Sequence, residues 1–192
     1  RINPPPANTR VEIVRENFRG GQVRGEWVIG RHASAPVPGS RILYYMHGSG
    51  YVVCSPRTHR GLVGRLGNKT GLPAFSLDYR LAPEHAWPCA GNDAVRGYRW
   101  LLSQGYRAED IVVAGDSAGG HLALDLLAVN HATGTPQPGS MVLFSPLYDP
   151  TFQLAVRNQR TGVRDPIIDA MSARKILRLY TRTADPDHPR MR

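Results

Sequence analysis

A chain of 192 residues with 41% hydrophobic content fits one domain of ordinary size with enough apolar side chains for a core, which excludes overall disorder. Its formal charge of +9 comes from 24 basic against 15 acidic residues, and every basic residue except Lys69 and Lys175 is arginine. The arginines are scattered from Arg1 to Arg192 without a dense run or an interleaved aromatic ladder, so a solvated surface is favoured over a nucleic-acid interface. Cys54 and Cys89 have neither zinc-site spacing nor the density of a disulfide scaffold and read as small buried residues or unpaired thiols. No window approaches the roughly 18 apolar residues of a membrane-spanning helix. The opening Arg1-Ile2-Asn3-Pro4-Pro5-Pro6 is not a signal peptide. Because no initiator methionine is present, a lost targeting segment stays open, with the cytoplasm as the favoured compartment. For the same reason the charge of a longer protein stays open.

In chain order, Val11 to Phe18 and Gln22 to Ile29 alternate partly between apolar and polar residues around Arg19-Gly20-Gly21, which predicts an antiparallel hairpin. Ile42-Leu43-Tyr44-Tyr45-Met46 is a compact strand ending in Gly48-Ser49-Gly50. Thr58 to Asn68 has Leu62, Val63 and Leu66 at helical spacing, weakened by Gly61, Gly64 and Gly67. Strand Pro73 to Tyr79, helix Ala90 to Gln104 with a stop at Gly105, strand Ile111 to Ala114, helix Ala118 to His131 and strand Met141 to Ser145 then alternate regularly. This is a doubly wound α/β pattern with an antiparallel entry. Ile167 to Arg182 predicts a further helix with no strand on either side. It is either an insertion above the sheet that lids a pocket or a packing helix lacking its strand. No internal repeat is present.

Gly115-Asp116-Ser117-Ala118-Gly119 is a G-x-S-x-G between a strand and a helix, the context in which a sharp turn lifts a serine nucleophile out of a sheet. Side chains at either flanking glycine would collide with the turned backbone. The alternative is a tight turn with an incidental serine. Acyl transfer also needs a base, a group to orient it, and donors for the developing oxyanion. The donors are expected from His47-Gly48-Ser49-Gly50-Tyr51, with the amides of Ser49, Gly50 and Ala118 converging on one oxygen and His47 and Gly48 supporting the loop. A Gly-rich turn without function is the plainer reading of that loop. Asp116 is expected to be a structural hydrogen-bond acceptor, since a residue adjacent to the serine cannot orient an imidazole against it.

Together, His47 to Tyr51, Asp78-Tyr79-Arg80-Leu81-Ala82-Pro83-Glu84-His85 and Gly115 to Gly120 resemble the hormone-sensitive-lipase family of α/β-hydrolases, in the family's order. The likeness runs from about Val11 to Pro150, and Asp185-Pro186-Asp187-His188-Pro189 resembles a segment before the family's penultimate strand. It implies an α/β-hydrolase fold with a mostly parallel sheet whose last strands are missing, divided into a core over 1–150, a cap insertion over 151–182 and the start of a further core segment over 183–192. It also implies esterase or lipase activity on small acyl esters without cofactor or metal. Arg80 and Glu84 are expected to stabilise the active-site floor, and Tyr51, Trp87 and Tyr148 either line the pocket or pack in the core.

In that family the triad aspartate and histidine lie further along than Arg192, so this chain is expected to be truncated and severely impaired. Of its seven histidines, His47 belongs to the oxyanion loop, His121 points away from the nucleophile, and His188 is the remaining candidate base by chain order. A non-catalytic binding or receptor protein on the same fold, and an amidase, are the alternatives. A homodimer is left open, and no nucleic-acid partner or integral membrane segment is expected.

Overall fold

Central to the structure is a six-stranded sheet in the order β1-β2-β4-β3-β5-β6, formed by β1 (Arg10–Phe18), β2 (Gly21–Ile29), β3 (Ile42–Met46), β4 (Ala74–Leu77), β5 (Ile111–Asp116) and β6 (Ser140–Phe144). This computed structural model describes residues 4–163, 165–185 and 187–191. Arg1-Ile2-Asn3, Arg164, Pro186 and Arg192 lie outside the described residues, and with them parts of the predicted opening segment and of the Asp185 to Pro189 motif. β1 and β2 pair antiparallel across the Arg19-Gly20 turn, and β2 pairs antiparallel with β4. The pairs β4/β3, β3/β5 and β5/β6 are parallel.

Parallel neighbours require crossovers, and helices supply them on both faces. α1 (Pro56–Thr70) joins β3 to β4 and covers one face, where Val28, Leu43, Tyr45, Val63, Ala74 and Ala114 pack together. α2 (Cys89–Ser103) and α3 (Ala118–Thr133) cover the other, over a larger core that includes Tyr44, Phe75, Leu101, Val113, Leu122 and Leu126. β3, β4 and β5 read as nearly continuous apolar runs because both of their faces are covered. The three glycines that weaken the prediction of α1 are each buried. A Cβ at Gly64 would press on Pro6, and one at Gly67 on the Leu72 carbonyl, so low propensity is exchanged for close approach. Arg60 of α1 also donates twice to the buried Glu26 carboxylate of β2, both at 2.7 Å.

Strand order reverses at β3/β5: the chain leaves β3 toward β4 on one side and returns to β5 on the other. Ligands of open α/β sheets bind beyond the carboxyl ends of strands at such a switch point, and both sequence motifs begin there.

The stretch after β6 departs from the single predicted helix. It holds α4 (Gln153–Arg160) and α5 (Ala170–Thr181), which pack on each other. α5 begins at Ala170 rather than Ile167 because Asp169 caps it, its carboxylate accepting the Ser172 amide at 2.8 Å. Residues 187–191 are fastened to α3 by Arg190, which donates to the buried Asp125 carboxylate at 2.7 and 2.9 Å. No helix of the described residues is long and apolar enough to cross a membrane.

Candidate active site

Ser117 is the hinge between β5 and α3, held at φ 48 and ψ −115, a sparsely populated conformation for a residue with a Cβ. Its amide donates to the Phe144 carbonyl at 3.0 Å, and its carbonyl accepts the amides of Leu147 at 2.9 Å and His121 at 3.2 Å, so the turn is pinned to the end of β6 and to its own helix. The flanking glycines have a steric reason. A Cβ at Gly115 would strike the Gly119 backbone, and one at Gly119 would overlap the Met46 carbonyl oxygen at the end of β3. Among the described residues no side chain hydrogen-bonds the Ser117 hydroxyl.

The loop after β3 coils tightly. Ser49 (φ 89), Gly50 (φ 64), Tyr51 (φ 65) and Cys54 (φ 72) all occupy the left-handed region that favours glycine. The Ser49 hydroxyl donates to the Cys54 sulfur at 2.9 Å, cross-linking two of the strained positions. The amides of Ser49 and Gly50 have no acceptor within the described residues. Ala118, as the first residue of α3, contributes one of the orphan amides of a helix N-terminus.

Asp116 connects the two loops. Its Oδ1 accepts the Gly48 amide at 2.9 Å and the Tyr45 hydroxyl at 2.7 Å, and His59 Nε2 stands 3.7 Å away, an ion-pair rather than a hydrogen-bond distance. Burial pushes this carboxyl up, but His59, Tyr45 and Gly48 outweigh it and hold it below the usual aspartate range. The expectation of a structural acceptor therefore acquires definite partners. The Tyr45 and His59 contributions have no motif to announce them and emerge only when β3, α1 and β5 come together.

His47 is fully buried and stacked on Tyr79 at 4.3 Å, with His59 at 5.4 Å on its other neighbour contact. Its Nδ1 lies 2.9 Å from the Gly48 carbonyl, which can only accept, so Nδ1 carries the proton. Burial lowers this imidazole to about 4, against a partial upward pull from the Gly48 carbonyl. Tyr79 donates to the His47 carbonyl at 2.7 Å. The loop is thus gripped through His47 and Gly48, while the Ser49 and Gly50 amides have no acceptor among the described residues.

Other expectations fare differently. Tyr51 is fully buried against Tyr180 of α5, ring centroids 4.0 Å apart, and is a packing residue rather than a pocket lining. Tyr148 is exposed. Arg80 does brace the region, donating to Asp93 at 2.8 Å through both Nε and Nη2, but Glu84 is exposed and forms no ion pair among the described residues. Both cysteines are free and half-buried. His121 is buried edge-on to Tyr51, and His188 packs edge-on against Trp87 while its Nδ1 accepts the Arg190 amide, so neither meets the serine hydroxyl. A cavity of about 570 Å³ beside Glu12, Trp27, Trp100 and Tyr106 lies against β1 and is not part of this site.

A doubly wound sheet with a strained serine at one strand end and an amide-bearing loop at its neighbour defines an α/β-hydrolase architecture. Residues 43–192 match the model of a family described by the alpha/beta hydrolase fold. An acetyl-hydrolase of Streptomyces hygroscopicus is 37% identical over 169 residues, covering 88% of this chain and 54% of the relative. Solved structures of the esterase EstE5 and of an esterase from the bacterial hormone-sensitive lipase family superpose with TM-scores of 0.85 and 0.84 at 36% and 33% identity, each covering 98% of this chain and 60% of theirs. The chain belongs to the hormone-sensitive-lipase family of α/β-hydrolases. It spans about half the length of the Streptomyces relative and three-fifths of the solved esterases.

Proposed function

We propose that the protein is a carboxylic-ester hydrolase in which the Ser117 hydroxyl attacks the acyl carbonyl, expels the alcohol to leave an acyl-enzyme, and is regenerated when water releases the acid. Ser49, Gly50 and Ala118 supply amides to the oxyanion, and His47 and Gly48 keep their loop in place. A single pre-aimed donor of this kind contributes about 3 kcal/mol to transition-state binding. The observation that carries the reading is the strained Ser117 at a helix N-terminus, one strand from a loop whose Ser49 and Gly50 amides have no acceptor among the described residues. Relatives named acetyl-hydrolase and esterase support small acyl esters as substrates.

We assign residues 1–150 to the core, 151–182 to a cap and 183–192 to the start of a further core segment. Leu177 and Ile176 of α5 reach over the oxyanion loop, where a Cβ at Gly50 would stand 3.6 and 3.8 Å from them, so α5 roofs this side of the site. The proton of Ser117 needs an acceptor, and none of the described histidines bonds to its hydroxyl. Absence of the base from a serine triad lowers turnover on the order of a million-fold, leaving what the oxyanion amides and binding provide.

Prolonged incubation with an activated organophosphate, followed by intact-mass measurement, tests the assignment. One adduct on the chain and none on Ser117→Ala is the expected result. Equal labelling of the variant rules out Ser117 as nucleophile, and so does an unmodified serine in a form of the protein as long as its relatives, in which a base is supplied. The unbonded serine hydroxyl also suits a non-catalytic binding protein, a reading that inertness of Ser117 would favour.

A further inference from the structure

The segment after β6 turns an unusual surface to water. Ile167 is 90% exposed and Ile168 46%, and the Asp165 carboxylate accepts both of their amides, at 2.8 and 2.9 Å, so a fixed turn displays the two aliphatic side chains. α5 then buries Ala170, Leu177 and Tyr180 along one stripe, while Met171, Lys175, Arg178 and Leu179 fall on the opposite stripe and are exposed. α4 adds the exposed Arg157 and Arg160.

The charges of this surface are unbalanced. Arg157, Arg160 and Arg178 have no carboxylate partner among the described residues, whereas Arg60, Arg80 and Arg190 of the body are each held by a buried carboxylate. The acids of the segment are turned to local donors, Asp165 to the two isoleucine amides and Asp169 to Gln159 and the Ser172 amide.

Large aliphatic side chains interleaved with unpaired cations suit a surroundings that is apolar below and anionic above. An anionic lipid surface has that layering: aliphatics enter the acyl boundary while guanidinium groups reach the headgroup phosphates. A nucleic acid matches less well, because the exposed stripe carries no aromatic ring for base stacking and a phosphate backbone has no use for paired isoleucines. A purely apolar protein partner would strand the cations.

We propose that the face made by α4, the 165–169 turn and α5 docks on an anionic lipid surface. The attachment does not depend on chemistry at Ser117. It brings to the lipid the helix whose other stripe packs on Tyr51 beside the oxyanion loop.

Co-sedimentation of the chain with vesicles tests this, comparing phosphatidylcholine alone with a mixture containing phosphatidylglycerol. Binding to the anionic vesicles should be at least roughly ten-fold tighter at about 0.1 M salt and largely lost near 1 M. Arg157→Gln with Arg178→Gln should weaken it roughly twenty-five-fold, about five-fold per cation. Ile167→Ser with Ile168→Ser should weaken it roughly ten-fold. Arg31→Gln with Arg65→Gln removes the same net charge elsewhere and should leave binding unchanged. All three pairs of positions are on the surface, and circular dichroism checks that each variant keeps its fold. Equal or absent binding to the two vesicle types overturns the proposal. So does equal weakening by the Arg31/Arg65 control, which would leave only net charge at work. Self-association without lipid that disappears in the Ile167/Ile168 variant would assign the face to a second copy and also overturn it.

Discussion

The buried imidazole of His47 makes the loop after β3, proposed above to hold the oxyanion, sensitive to acid. Its ring is neutral in the folded chain down to about pH 4, whereas in the unfolded chain it takes up a proton near 6.5. The unfolded state therefore binds more protons between those values, so stability is complete above about pH 6.5 and is lost as pH falls toward 4, by on the order of 3 kcal/mol. His121, also lowered by burial, acts with the same sign. Asp116 contributes only below that window, because its depressed carboxyl protonates last. Urea midpoints at pH 7.5 and 4.5 should differ, and His47→Asn should reduce the difference without abolishing it. An unchanged pH slope in the variant would remove His47 from the account. Ser117, Gly50 and their neighbours were readable because the residue types needed for a tight turn are few and stand together. The Asp116 contacts with Gly48 and Tyr45 were not readable, since they join residues 68 and 71 positions apart in the chain.

At the scale of elements, strands were more legible than helices. Alternation or continuous apolarity marked β1 to β6 to within one or two residues at most ends, because both patterns report directly on which faces are covered. α4 was missed: only Val156 of its eight residues is buried, so it leaves almost no apolar period in the sequence. What holds this region is a stack rather than a pattern. Tyr180 lies parallel to Tyr51, and its carbonyl accepts the Trp87 amide at 2.9 Å. Tyr180→Ala should destabilise the chain by about 3 kcal/mol and expose the 165–169 turn to limited proteolysis, while Tyr180→Phe, which keeps the ring, should cost less than about 1.5 kcal/mol. Equal protease resistance of the alanine variant would show that α5 is fastened by other means.

Across the whole molecule the sheet has two unlike margins. β1 presents Arg10, Glu12, Arg15 and Glu16, charged side chains that discourage pairing, whereas β6 shows Val142 at 44% and Phe144 at 37% exposure with its outer side unpaired among the described residues. In the 192-residue chain this margin offers backbone groups for strand pairing. Val142→Lys should lower self-association in sedimentation velocity, and an unchanged distribution of species would exclude this margin. Alternation of strand and helix foretold the layers, but the order β1-β2-β4-β3-β5-β6 follows from which way each crossover turns, and local residue patterns do not encode that direction.

Met46 stands opposite Gly115 where the two middle strands end, and the residues that follow them are those of the site. A frame error of a single rung between those strands would invert inward and outward positions along their whole length. It would unhook Asp116 from Gly48 and misdirect the serine hydroxyl together. Substitutions that loosen the rungs at residues 42–46 or 111–115 should therefore silence the molecule from a distance, leaving every group of the site chemically intact but out of step.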